Sequence, residues 1–195
     1  SRYVNGKGLE YNQAFAKGLI GALLADQILN NYLSKAVLDD GINISNNDNK
    51  VTENDKNYTT MEHMWDEAYG YLYGDPSIPV ADPNSVLNES EDRLLFSYLG
   101  QVDADSDFAG IAEETYQAFK KGRAAIVGND YDTRDEQVII IRENLSTVIG
   151  VRAVHYFQGG KSDIQNGNWG HAFHALSEGY GFLYSLRFSH NPETG

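Results

Sequence analysis

Apolar residues in the first part of the chain recur at three- and four-residue intervals. In "LEYNQAFAKGLIGALLADQILNNYLSKAV", Leu9 to Val37, the stripe Phe15, Leu19, Ala22, Leu23, Leu29 and Leu33 predicts one long amphipathic helix. The Asn/Asp-rich stretch from Asp39 to Asn57 has almost no apolar period and reads as a solvated loop. Thr59 or Thr60 then caps a helix, with Glu62 in its first turn, that runs to about Tyr73 and is stopped by "GDPSIPVADPN". A shorter helical piece is predicted over Val86 to Leu99 and a longer helix over Phe108 to Ile126. In "QVIIIRENLSTVIGVRAVHYF", Val138, Ile141, Leu145, Val148, Arg152 and His155 share one side, and the segment is too long for a usual strand. A Gly/Asn-rich turn from Gly159 to Asn168 precedes a last helix, about Trp169 to Phe188.

These elements repeat. "HMWDEAYGYLY" from His63 returns as "HALSEGYGFLY" from His174, and "QAFAKG" at Gln13 to Gly18 returns as "QAFKKG" at Gln117 to Gly122. "DQI" at Asp26 is answered by "EQV" at Glu136, after a longer interval that breaks the first helix of the second copy. The expected fold is therefore all-α: one domain over 1–195, made of two repeats (about 9–74 and 108–188) joined by 75–107. Pairing the repeats would bury faces that neither buries alone, giving a pseudo-twofold four-helix core with extra short helices.

Composition narrows the partners. A chain of 195 residues with 41% hydrophobic content is long enough for a core. A formal net charge of -13 argues against nucleic acid and against an anionic membrane surface. With no cysteine there is no disulfide, thiolate metal site or cysteine nucleophile. Thirteen tyrosines with abundant Asn and Gly and few Lys lean toward export. The chain opens on Ser1 without a leader, which suggests a processed or truncated chain and puts any lipid anchor, and so any membrane attachment, upstream.

Histidine and glutamate four apart share a helix face, so His63 pairs with Glu67 and His174 with Glu178. Gly70 and Gly181, one turn further on, would allow two motif helices to cross closely and bring the pairs together. Two imidazoles and two carboxylates in a bundle suit an iron, zinc or manganese ion. Asp66 and His171 would support or substitute for these ligands, the first copy having Thr60 where the second has His171. The competing reading is a packing device, in which each His/Glu pair fixes helix register without any metal.

"DADSDFAGIAEE" offers a second cation site. Asp103, Asp105, Asp107 and Glu114 match positions of a calcium loop, but Phe108 stands where the turn requires glycine. Helix capping by these aspartates is the competing reading. His155 reads as a satisfied interior residue and His190 as a surface one. No phosphate loop, serine-nucleophile elbow or dinucleotide fingerprint is present.

The segments "GLEYNQAFAKGLIGALLADQILNNYL", "MEHMWDEAYGYLYG", "KGRAAIV" and "HALSEGYGFLYSLRF" resemble an uncharacterised domain family of exported, lipoprotein-type cell-envelope proteins of Bacteroidetes. More distantly the chain is similar to the imelysin-like group, whose motif is Gly-x-His-x-x-Glu. Met61 replaces that Gly, His63 fits the His, and Asp66 or Ser177 holds the acidic place, with Glu67 and Glu178 one residue later. The resemblance implies an exported protein, periplasmic or at the outer-membrane or cell surface, acting without catalysis in iron uptake by binding a metal ion or an envelope protein partner. Two alternatives stand beside it. One is a metallohydrolase with Glu67 or Asp66 as base; the other is a surface interaction domain with no metal.

Overall fold

The computed structural model describes residues 3–88 and 94–189, and among them the chain is all helix and loop, with no strand. In order, α1 (Tyr11–Leu19) continues through two π-helical stretches, Ile20–Ala25 and Gln27–Tyr32. There follow α2 (Lys35–Leu38), α3 (Asn43–Asp48), α4 (Thr60–Tyr73), a 3₁₀ turn Pro83–Val86 and α5 (Leu95–Asp103). The chain ends in α6 (Ile111–Val127), α7 (Tyr131–Gln165), α8 (Trp169–Ser185) and a 3₁₀ turn Leu186–Phe188. No helix among the described residues is long and apolar enough to cross a membrane. Part of the piece predicted over 86–99, and His190, lie outside the described residues.

α7 is the spine. Its 35 residues span about 52 Å, with Ile141, Leu145, Val148, Ile149 and Ala153 buried along one side. It packs against α6, α8 and α5. α8 lies against α1 as well as α7, and α4 lies against α6 and the second π-helical stretch. The predicted turn at Gly159 is instead continuous helix, because Gly160 is a packing position: a Cβ there would stand 2.7 Å from Leu176 of α8.

The first helix departs from the predicted stripe. Phe15 is 68% and Leu23 55% exposed, while Gly18, Gly21, Ala25, Ile28 and Leu29 are buried. Close approach to α8 selects small residues, so size rather than hydropathy decides which side of α1 faces inward. Ser185 stands at the change of helix type. Its hydroxyl donates to the Lys17 carbonyl at 2.6 Å and accepts from the Gly21 N–H at 3.0 Å, and so stands inside an i→i−4 rung and widens the turn. The widened turns shift every later residue off the 3.6-residue period. Arg142 serves the second π-helical stretch, donating to the Leu29 carbonyl at 2.6 Å.

The helix at Thr60 forms as predicted, through a capping box. Thr59 accepts from the Glu62 N–H, and Glu62 accepts from the Thr59 N–H at 2.6 Å. The Asn/Asp-rich segment, expected to be a solvated loop, contains α3 and the fully buried Asn47. Asn47 donates to the Ile126 carbonyl at 2.7 Å and accepts from the Thr59 hydroxyl at 2.8 Å, tying α3 to the α6–α7 turn. Arg134, also fully buried, is held by Asp39 at 2.6 Å and Asp135 at 2.6 Å, which fixes the start of α7.

Candidate functional site

The second His/Glu pair is built into the contact of α1 with α8. Ser177 Oγ donates back to the Phe173 carbonyl at 2.6 Å and accepts from the Glu10 backbone N–H at 2.8 Å, which fixes where α1 begins. The Glu10 carboxylate, buried, then lies 2.8 Å from His174 Nδ1. On the other edge of the ring, His174 Nε2 is 3.4 Å from Glu178 Oε2, and Glu178 Oε1 is 3.4 Å from Lys17 Nζ. Two carboxylates, an imidazole and an ammonium are thus joined across two helices.

Aromatic rings and a second cation border this cluster. Lys17 Nζ lies 5.3 Å from the Tyr98 ring centre, and the Arg152 guanidinium lies 5.4 Å from Tyr98 and 4.8 Å from Tyr156, distances at which a cation is held by a ring face. Burial, and secondarily the neighbouring Tyr98, pushes the Tyr156 phenol up to about 12. Arg152 is itself buried and its Nε has no hydrogen-bond partner. His155, expected inside, is exposed with its ring edge-on to Tyr156; Arg152, three residues earlier, takes the inward position on α7.

The first pair stands differently. His63 Nε2 is 3.6 Å from Glu67 Oε1, and the two side chains are 34% and 42% exposed. The His63 ring stacks on Tyr58 at 5.2 Å. Asp66 and Glu62 both hold Arg123, each at 2.9 Å.

Both predicted pairs therefore form along their own helices, yet α4 and α8 rest on different neighbours and the glycines do not mark a mutual crossing. A Cβ on Gly181 would meet the Ala14 carbonyl of α1 at 2.7 Å, whereas one on Gly70 would meet nothing within 4 Å. The close approach made by α4 is to α6, where Trp65 covers Gly122 and donates its Nε1–H to the Phe119 carbonyl at 2.9 Å. His171 is exposed. Among the described residues no group of three His, Asp or Glu side chains is arranged to hold a metal ion.

Three of the four carboxylates of the calcium-loop candidate have separate partners. Asp103 Oδ1 accepts from the Gly110 and Ala112 N–H groups, both at 3.0 Å, at the start of α6. Asp105 Oδ1 accepts from the Asp107 N–H at 3.1 Å, and Glu114 Oε2 from Asn144 of α7 at 3.1 Å. These are the contacts of a helix start and a turn.

Sequence reading missed Glu10, Lys17, Tyr98 and Arg152. Glu10, Lys17 and Tyr98 lie outside the copy of the repeat that carries His174, and Arg152, inside it, carried the one signal, a charge on the apolar side of α7. Comparison with curated proteins gives no match, and comparison with solved structures gives none. The model of one family matches residues 1–195, and the chain belongs to that family, the domain of unknown function DUF4856.

Proposed function

We propose that the chain is a non-catalytic interaction domain of an exported cell-envelope protein, periplasmic or at the outer-membrane surface, in which His174 and Glu178 fix the docking of α1 on α8. The observation that carries this reading is the company of His174. Both of its ring nitrogens already face carboxylates, and Glu178 already has the Lys17 ammonium. Such a network specifies one register for two helices that meet through small residues. Near the same contact Tyr11, Phe15, Tyr180 and Tyr184 expose their rings to solvent, an apolar surface of the kind partners cover. The envelope location rests on the resemblance of the quoted segments to lipoprotein-type envelope proteins.

The architecture within this proposal is a duplicated helical unit, imelysin-like in plan. Supporting it is the exchange of partners. α1, carrying "QAFAKG", packs on α8, and α6, carrying "QAFKKG", packs on α4, so each first helix rests on the motif helix of the other half.

A second reading, a transition-metal site serving iron acquisition, is favoured by one feature. Buried Glu10 at Nδ1 would orient the His174 ring, as carboxylates do behind metal-bound histidines, leaving Nε2 and Glu178 for iron, zinc or manganese. Thermal unfolding with and without Fe²⁺, Zn²⁺ or Mn²⁺, in the native chain and in His174→Ala, separates the two. The packing reading expects His174→Ala to unfold at lower temperature and no metal to shift the native chain. A saturable upward shift by one metal that disappears in His174→Ala would overturn it in favour of the metal site.

A further inference from the structure

Away from the His174 cluster, α4 and α6 form an open-mouthed cleft of about 850 Å³, within the range of roughly 300–1,000 Å³ seen for small-molecule sites. Trp65, Tyr69 and Tyr73 of α4 face Tyr116 and Phe119 of α6, and the segment that follows α4 brings Ile78 and Val80 to its edge. The rings brace one another. Tyr69 lies 4.6 Å from Tyr73 and 5.7 Å from Phe119, and Tyr73 lies 5.8 Å from Phe119 and 6.2 Å from Tyr116. The aromatic walls are therefore largely formed before anything binds.

The three tyrosine hydroxyls are not equivalent. Tyr116 Oη donates to the Ala81 carbonyl at 3.0 Å, and Tyr69 Oη to the Val80 carbonyl at 3.4 Å, so both hold the bordering segment in place. Tyr73 is 2% exposed, and its hydroxyl is buried with no hydrogen-bond partner. Burial raises the pKa of this phenol well above its ordinary value, with smaller contributions from Tyr69 and Tyr116, so it stays a neutral O–H donor. A buried donor left unpaired is costly and uncommon. At the mouth, Arg123 is already paired with Glu62 and Asp66, and Lys120 rests 5.1 Å from the Tyr116 ring centre. Asp75, also on the lining, accepts from the Ser77 N–H and hydroxyl, so each charge at the mouth already has a partner.

We infer that this cleft is a binding site for an uncharged, ring-bearing apolar molecule with a carbonyl or similar acceptor, whose ring stacks among the aromatic side chains and displaces the cover of the Tyr73 hydroxyl, which the acceptor then takes. The site is independent of the His174 cluster and of its packing or metal role.

The test uses the 195-residue chain and two environment-sensitive probes: 6-propionyl-2-(dimethylamino)naphthalene, which carries the carbonyl, and 2-(dimethylamino)naphthalene, which lacks it. The carbonyl probe is expected to bind saturably at one equivalent with a blue shift of its emission. Ala124 lines the cleft but is exposed, so Ala124→Trp fills the space without disturbing the core and should weaken both probes by about tenfold or more. Tyr73→Phe should weaken the carbonyl probe by about fivefold, the value of one hydrogen bond, and leave the other unchanged. Circular dichroism melting confirms that both variants are folded, and Val127→Trp at the same wall replaces Ala124→Trp if it is not. Absence of saturable binding, or equal affinity in the filled variant, overturns the site. Equal loss of both probes in Tyr73→Phe overturns the assigned role of the hydroxyl.

Discussion

The two stretches that begin at His63 and His174 share His-x-x-x-Glu-x-Tyr-Gly, yet one lies on a surface and the other is locked into a helix contact. His63 and Glu67 keep about a third or more of their side-chain surface, whereas Glu178 keeps 10% and is shared by His174 and Lys17. The residues that do not match decide this. Ser177, in the place of Asp66, is small and neutral enough to be buried and to receive the Glu10 N–H, while Asp66 faces solvent and Arg123. Leu176, in the place of Trp65, fits over Gly160, whereas Trp65 spreads over Gly122. A shared motif thus specifies a local pairing, and the side chains between its fixed positions choose the helix against which that pairing is placed.

The sharpest way to break this contrast is to remove the two glutamates in turn. Glu178→Ala leaves the largely buried Lys17 ammonium without its ion-pair partner and His174 with Glu10 alone, and should cost about 3 kcal/mol. Glu67→Ala removes a half-exposed pair and should cost less than about 0.5 kcal/mol. Urea denaturation midpoints of the two variants, with unchanged slopes, measure the difference. Equal losses would mean that the two pairs are energetically alike.

The glycines are expected to differ in sign. In Gly181→Ala the new methyl group meets the α1 backbone, the Ala14 oxygen at 2.7 Å and Lys17 Cβ at 2.6 Å, which should destabilise the fold by about 2 kcal/mol. In Gly70→Ala the methyl enters open space on a helix and should stabilise by up to about 1 kcal/mol, the propensity difference alone. Calorimetric unfolding of the two variants should therefore shift in opposite directions.

Much of the helical plan was legible, because α4, α6 and α8 carry caps or stops and keep one period throughout. What was not legible depends on partners remote in sequence. Nothing near Leu23 reveals that Ser185 enters the ladder at Gly21, after which the apolar stripe leaves its period. Nothing in the Asn-rich run distinguishes Asn47, whose hydrogen bonds reach residues 126 and 129, from its exposed neighbours. At the candidate site the i, i+4 pairs were readable from spacing, but their surroundings were not. Glu10 and Lys17 reach His174 and Glu178 only because α1 crosses α8, and Tyr73 differs from Tyr69 only because the segment after α4 offers carbonyls to one hydroxyl and not the other.

Ser185 follows the second motif where Gly74 follows the first, and its loss tests whether the π-helical turn depends on one hydroxyl. In Ser185→Ala the Gly21 N–H and Lys17 carbonyl lose their buried bridge, at a cost of about 1.5 kcal/mol. If the pair closed directly into an α-helical rung instead, the cost would be small, and Phe15 and Leu23 would rotate relative to α8. Hydrogen exchange of the Gly21 amide reads the outcome: faster exchange is expected, from an amide left unpaired in a turn that stays wide, and unchanged or slower exchange would show that the rung has closed and that the hydroxyl alone held the turn open.

The smallest expected effect has the most bearing on function. Tyr73 and Tyr184 occupy the same place in the two motifs, but Tyr73 buries an unpartnered hydroxyl while Tyr184 is 45% exposed. Tyr73→Phe removes an unmet donor and should stabilise the free chain by about 1 kcal/mol, a rise of about 2–4 °C in melting temperature for a domain of this size. Tyr184→Phe should leave the melting temperature unchanged. A stabilising change that also weakens the carbonyl probe would mean that the hydroxyl is retained at the expense of stability because something must hydrogen-bond to it. If Tyr73→Phe instead melts no higher than the native chain, the hydroxyl is already satisfied, and the reason to expect an acceptor in the aromatic cleft is lost.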